Sequence, residues 1–381
     1  MKIGYRTLLL GGAAIAAAAL AGGCAQMGYY MQAAQGQYSL MTEARPIDDW
    51  LADPATTDKL KTRLERVKEI RRFAAAELGL PDNGSYKNYA DLKRPFVLWN
   101  VVAAPALSLD PVKWCFPIAG CVNYRGYYSK AAAQEYAGEL RQQGLDVQIG
   151  GVPAYSTLGW FDDPVLSTFI QYPDGELARL VFHELAHQVA YAKDDSQFNE
   201  SFAVAVEEIG VERWMTRFGD DKMRRAYREY EGRKKDFLAL LLKHRKALKA
   251  LYAGNEPDAE KLRAKAALFQ SLKDEYQVMK AGWGGYAGYD RWFAEPLSNA
   301  HLASIATYHD LVPGFRALLQ QERSMSAFYT TVKRMAGQSR DLRHQELLVL
   351  GEPPRLASQQ PETSMTAEPG AAAFSQGTDG S

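Results

Sequence analysis

The sequence predicts an α+β protein that is mainly helical: a small mixed sheet, then a hairpin of two helices, then a helical C-terminal region. Three observations predict it. Short aromatic and β-branched runs, as strands require, cluster at residues 96–102, 121–128 and 146–149. From Asp174-Gly175 onward, apolar residues recur at helical spacing in segment after segment. The chain has 381 residues, 47% hydrophobic and 24% charged, enough for one large core or two modest ones.

Lys2 and Arg6 precede an apolar run at residues 8–20, short for a membrane span, that ends in Leu20-Ala21-Gly22-Gly23-Cys24. Small residues before a cysteine resemble the bacterial lipoprotein processing site. Residues 1–23 then form the signal peptide and Cys24 becomes the lipidated first residue. A plain signal peptide cut near the Ala-Gly stretch is the alternative. Either way export is expected, and Ala25 implies a lipid anchor in the outer membrane, facing the periplasm.

Residues 24–45, rich in Gln, Ala and Tyr, read as a tether. The main domain is expected at 46–350, with an α+β part at 46–175 and a helical part at 176–350. Leu60, Leu64, Val67, Ile70 and Phe73 give residues 57–80 the spacing of a helix, and Ser129 caps another that runs to Gln143. With the strands these make a small sheet with one helix packed on it. Further helices are expected near 176–191, 196–214, 220–253, 257–281, 299–321 and 324–336. Residues 351–381, dominated by Pro, Ser, Thr, Gln, Gly and Ala, read as a disordered tail.

Lys plus Arg and Asp plus Glu number 45 each, so the formal charge is zero, and no basic stripe is interleaved with aromatics. Nucleic acid is therefore not an expected partner. Export places Cys115 and Cys121 in an oxidising compartment, and the Pro117 and Gly120 between them let the chain double back. A local disulfide is expected, with two buried free thiols as the alternative.

The chemistry centres on Leu180-Val181-Phe182-His183-Glu184-Leu185-Ala186-His187. A helix here puts His183 and His187 one turn apart on one face, as two imidazoles must stand to share a tetrahedral zinc. Glu184 is rotated about 100° from His183. It is out of place as a third ligand but able to reach a water held by the metal and act as general base. Beyond the turn Lys193-Asp194-Asp195-Ser196, where Asp195 or Ser196 caps the next helix, comes Glu200. In an antiparallel hairpin folded near residue 194, His187 and Glu200 lie about equally far from the turn and face each other. Glu207 and Glu208, further along, compete as third ligand. Two His and one Glu with an open fourth position suit one catalytic Zn2+ rather than a structural one.

The pair of segments His183 to His187 and Asn199-Glu200-Ser201-Phe202-Ala203 resembles the gluzincin metallopeptidases, thermolysin and the zinc aminopeptidases among them. The interval here is shorter, and Val204 stands where thermolysin-type enzymes carry an acidic residue. A closer resemblance covers nearly the whole mature chain. Trp114-Cys115-Phe116-Pro117, Tyr124-Arg125-Gly126-Tyr127 and residues 150–161, 183–188 and 198–203 look like the bacterial zinc-dependent aminopeptidase family. That resemblance implies an envelope peptidase acting on peptides, an aminopeptidase by the family's label.

In gluzincins an edge strand beside the zinc helix binds the peptide backbone. Val152, Ala154 and Tyr155, in residues 152–157, are the expected edge, since Pro153 is tolerated on an edge strand. A buried loop wall is the alternative. Hydrolysis also needs a donor for the developing oxyanion. Tyr155 is the first choice, ahead of His301, Tyr308 and His309. The Gly-x-Met-Glu-Asn-type element with which zinc aminopeptidases hold a substrate amino terminus is absent, leaving Asp162 and Asp163 as substitutes. Competing classes are an endopeptidase, a cell-wall peptide hydrolase, and a lipoprotein binding module with a non-catalytic metal site.

Overall fold

The computed structural model describes residues 27–116, 120–303, 305 and 311–352. The signal peptide, Cys24, Tyr308, His309 and the expected tail from residue 353 lie outside them. Among the described residues no helix is long and apolar enough to cross a membrane. The α+β, mainly helical class is as expected: thirteen described helices accompany sheets of two or three strands.

The first helix corrects the reading of residues 24–45 as a tether. Residues 27–43 form α1, which packs along its length on the rest of the chain. Leu40 is buried, Tyr29 stacks on Phe116 and meets the edge of Tyr127, and the Arg125 guanidinium lies 4.1 Å from the Tyr29 ring. A Cβ at Gly36 would overlap the Tyr128 ring, so only glycine permits this approach. Composition misleads here because the helix rests on tyrosine rings, not on an aliphatic stripe that periodicity would reveal.

After β1 (Arg45–Pro46) and α2 (Ile47–Ala52), helix α3 (Asp58–Leu78) begins with the Thr57 hydroxyl accepting from Leu60 N–H. It ends at Gly79, whose φ of 63° needs no Cβ penalty. Leu64, Val67, Ile70 and Phe73 bury its apolar stripe as the spacing predicts.

The principal sheet orders β6 (Arg125–Tyr127), β3 (Leu98–Pro105) and β7 (Leu145–Val152), all antiparallel, with β3 in the centre. Period-two alternation divides its residues. Val101, Ala103 and Val147 pack under α4 (Lys130–Gln142), which starts with Ser129 accepting from Ala132 N–H. Asn100, Val102, Gln148 and Gly150 face the opposite way, into a cleft. The expected strand at 121–128 is two short strands, because β5 (Gly120–Val122) pairs instead with β4 (Trp114–Phe116). The register of that hairpin sets Cys115 opposite Cys121, and a disulfide joins them. A small third sheet joins β1, β2 (Asn88–Ala90) and β8 (Val165–Leu166).

Helices α5 (Asp174–His187) and α6 (Ser196–Phe218) form the expected hairpin at the centre of the main core. Helices α7 (Asp221–Ala253) and α8 (Asp258–Gly282), the short α9 (Asp290–Phe293) and α10 (Asn299–Ala303) build a second core. The expected helix at 299–321 is broken: α11 starts afresh at Val312–Glu322, with Pro313 in its first turn. Proline has no N–H for an incoming helix and its ring would clash with the carbonyl four residues earlier, so it starts a helix well and continues one badly. Helices α12 (Met325–Ala336) and α13 (Arg340–Gly351) complete the chain's main unit.

Candidate metal centre

The hairpin turn is built by side chains that satisfy its backbone. Asp195 accepts from Phe198 N–H as the cap of α6. Asn199, buried beside it, accepts from Ala192 N–H at 2.7 Å and donates to Ala192 O at 2.9 Å. These two bonds lock the loop that returns the chain, and the next residue, Glu200, faces back onto α5. Outside the turn, Cys121 N–H of the disulfide hairpin donates to Asp194 at 2.6 Å.

Three ligand atoms converge there. His187 Nε2 lies 3.2 Å from His183 Nε2, while Glu200 Oε2 lies 3.3 Å from His183 Nε2 and 3.8 Å from His187 Nε2. With bonds of about 2.0–2.1 Å, the ligands of a tetrahedral zinc stand about 3.3 Å apart. The donor set and spacing therefore fit that metal, and these three residues form the metal-type cluster found among the described residues. All three also line a cavity of about 380 Å³, so the fourth side of the cluster opens toward a space for ligand.

Glu207, one of the competing third ligands, has a different position. Its Oε2 meets His183 Nδ1 at 2.9 Å and Arg179 Nη1 at 3.0 Å, holding the imidazole with Nε2 turned to the cluster. This is the carboxylate–histidine pairing that orients metal ligands. Glu208 points elsewhere, to Arg316 Nε at 2.7 Å. His187 differs from His183, since its buried Nδ1 meets no partner among the described residues.

Electrostatics at the cluster favour a cation. Burial alone would lower His183, but hydrogen bonds to Glu200 and Glu207 raise it to about 10. Burial, helped by the neighbouring His183, lowers His187 to about 4. Burial opposes the ionised forms of Glu200 and Glu207, yet the histidines hold Glu200 below its ordinary value, and Arg179 with His183 holds Glu207 at about 2. Glu184 lines the same cavity; burial outweighs the pull of His183 and raises it to about 7.

The protein-family model described as "Putative aminopeptidase" matches residues 28–347, most of the chain. The chain belongs to this family. Membership supports a peptidase-like function. No curated protein and no solved structure matches the chain. The aminopeptidase match runs from α1 to α13, so the first helix lies within the matched extent.

The remaining expected residues divide. Val152, Ala154 and Tyr155 line the cavity with Ser156 and Leu158. Strand β7, an edge of the principal sheet, ends at Val152, and Ala154 and Tyr155 follow as irregular chain, because Pro153 stops the ladder. Tyr155 does not present a free hydroxyl: it meets Tyr128 Oη at 2.6 Å and also bonds Gln37 of α1. His301 is buried elsewhere, with Nδ1 accepting from Ser298 N–H and its ring against Trp292. Asp163 is buried with Oδ2 accepting from Thr157 N–H at 2.9 Å, and neither it nor Asp162 lines the cavity. Sequence reasoning overlooked Tyr124 and Tyr191 as cavity residues. The available signal was position: Tyr191 follows His187 by one helical turn, and Tyr124 opens the Tyr124-Arg125-Gly126-Tyr127 run.

Proposed function

We propose that this chain is a zinc peptidase of the cell envelope, an aminopeptidase by its family, carried on the outer membrane by a lipid on Cys24. The observation that carries the reading is the convergence of His183 Nε2, His187 Nε2 and Glu200 Oε2 at the wall of a cavity that Glu184 also lines. Zinc bound by these three side chains would supply a Lewis acid that acidifies water and polarises the scissile carbonyl. Glu184 takes the proton of the attacking water and delivers it to the leaving amine. Its elevated basicity in this buried setting suits both transfers.

Glu207 holds His183 in register through Nδ1. Ala154, just past the end of an edge strand, offers backbone groups to an extended peptide, whereas the Val152 carbonyl already accepts from Val97 N–H. The oxyanion donor of this reading is Tyr124, which lines the cavity with Glu200 and Glu184 and keeps its ring partly open to solvent. Tyr155 would first have to release Gln37 or Tyr128.

Replacing Glu184 by Gln should keep zinc and fold while lowering peptide hydrolysis about 100-fold to 10,000-fold. Retained hydrolysis would sink the peptidase reading. One observation favours endopeptidase action as a second reading: the carboxylates lining the cavity are Glu184 and Glu200, both already employed, so none is spare for a substrate ammonium. Rates on one peptide with a free and an acetylated amino terminus separate the two. The lipid anchor is tested by labelling with radioactive palmitate, which Cys24→Ser should abolish.

A further inference from the structure

A second cavity, of about 650 Å³, lies against the N-terminal half of α5. That is within the size range of pockets for small organic ligands, about 300–1,000 Å³. Its walls are aromatic and apolar, with Tyr172, Tyr227, Tyr230, Tyr286, Leu180 and Met215 among them. Three ionic side chains of α5, Asp174, Glu176 and Arg179, stand in the same lining.

The charges there do not balance. Arg179 is fully engaged, with Nε on Glu176 Oε2 at 2.9 Å and Nη1 on Glu207 Oε2 at 3.0 Å. Asp174, also in the lining, is held by Arg63 and Arg66. Glu176 is only 8% exposed, and its Oε1 is buried without a partner among the described residues. The Tyr230 hydroxyl comes close enough to interact with this carboxylate, but among the described residues Oε1 has no well-aligned donor. A buried acceptor left unpaired is unfavourable, and a bound donor restores the loss. The tyrosine faces add an attraction for positive charge. Tyr286 already shows it, with the Arg233 guanidinium 4.5 Å from its ring centre.

We propose that this cavity binds an organic amine, a protonated primary ammonium on a compact apolar or aromatic body. The ammonium donates to Glu176 Oε1 and the body lies among the tyrosines. Among the described residues lining the cavity an anionic ligand meets no free cation, because Arg179 is already shared between two carboxylates. The site stands apart from the proposed catalytic one and does not depend on it. It is nevertheless joined to it, since Glu176 begins a chain of ion pairs through Arg179 and Glu207 to His183.

The test is calorimetric titration of the full mature protein with phenethylamine, and with phenylacetate as the control of opposite charge. Wild type should bind phenethylamine and not phenylacetate. Glu176→Gln should weaken amine binding at least tenfold. Ala226→Trp, at an exposed lining position outside the ion-pair chain, should block it. Should Glu176→Gln fail to fold, as judged by circular dichroism, Ala226→Trp decides the matter alone. Glu184→Gln, which alters only the other cavity, should bind the amine as wild type does, so failure of the peptidase reading leaves this result intact. No binding by wild type at millimolar amine, equal binding by Ala226→Trp, or equal binding of phenylacetate would overturn the proposal.

Discussion

Glu207 decides the orientation of His183, because one of its oxygens bridges the imidazole and the Arg179 guanidinium. Glu207→Gln keeps the shape but removes the charge, and metal affinity should fall about 10-fold to 100-fold, as for other outer partners of ligand histidines. Competitive titration against a zinc chelator measures it; unchanged affinity would leave Glu207 a structural ion pair. A second buried carboxyl, Asp163, makes a prediction about pH. Burial raises it to about 6, against the pull of the Thr157 N–H. A carboxyl that holds its proton more tightly when folded favours the fold at low pH, and that contribution disappears as pH rises through about 6. Asp163→Asn still accepts from Thr157, so above pH 7 it should be more stable than wild type by up to roughly 3 kcal/mol, converging near pH 4. Urea unfolding at both pH values checks this; an equal difference at both would refute it. At this scale the convergence of His183, His187 and Glu200 was legible from the sequence, because helical geometry and hairpin symmetry fix relative positions. The outer partners were not. Glu207 could be named as a rival but not placed, since its role depends on which side of His183 faces His187 and Glu200, and Tyr124 reaches the cavity through a fold of distant strands.

The hairpin of α5 and α6 owes its closure to Asn199, whose amide makes two buried bonds to Ala192. Asn199→Leu would strand both backbone groups, costing about 2–4 kcal/mol, and should loosen Glu200 with them. Thermal unfolding and zinc affinity should therefore fall together; loss of stability with unchanged affinity would show that Glu200 is positioned by the rest of α6. Helix α1 is the element least visible in advance. Its Gln37 bonds Tyr155 and its Tyr29 and Ala33 line the cavity, so a segment with the composition of a linker forms part of the cleft wall. Long charged helices with Leu and Val at helical spacing, such as α3, were readable because they meet an aliphatic core. The broken segment at 299–321 was not, since apolar spacing says nothing of the turn that Pro313 enforces.

Across the molecule, the described C-terminal helices pack behind the hairpin, and none of their residues lines the cavity. Phe315 of α11 packs on Phe198 and Phe202 of α6, and Arg343 and His344 of α13 meet the buried Asp195 at 2.7 and 2.8 Å. The last helix thus holds the cap of the helix that carries Glu200. Arg343→Ala would leave Asp195 to His344 and the more distant Arg340, a loss of about 1.5–3 kcal/mol for a hydrogen bond between charged groups, visible as a lowered unfolding midpoint; a shift within error would contradict that role. The whole fold class followed from composition and periodicity, whereas this long-range clamp joins residues 148 and 149 positions apart and has no local signature. The measurement that tests the central claim most directly is metal content by mass spectrometry, on purified mature protein beside its Glu200→Ala variant. About one zinc per wild-type chain, lost in the variant, is the predicted result for a two-histidine, one-glutamate site. Zinc retained in Glu200→Ala, or absent from the wild type, would contradict it.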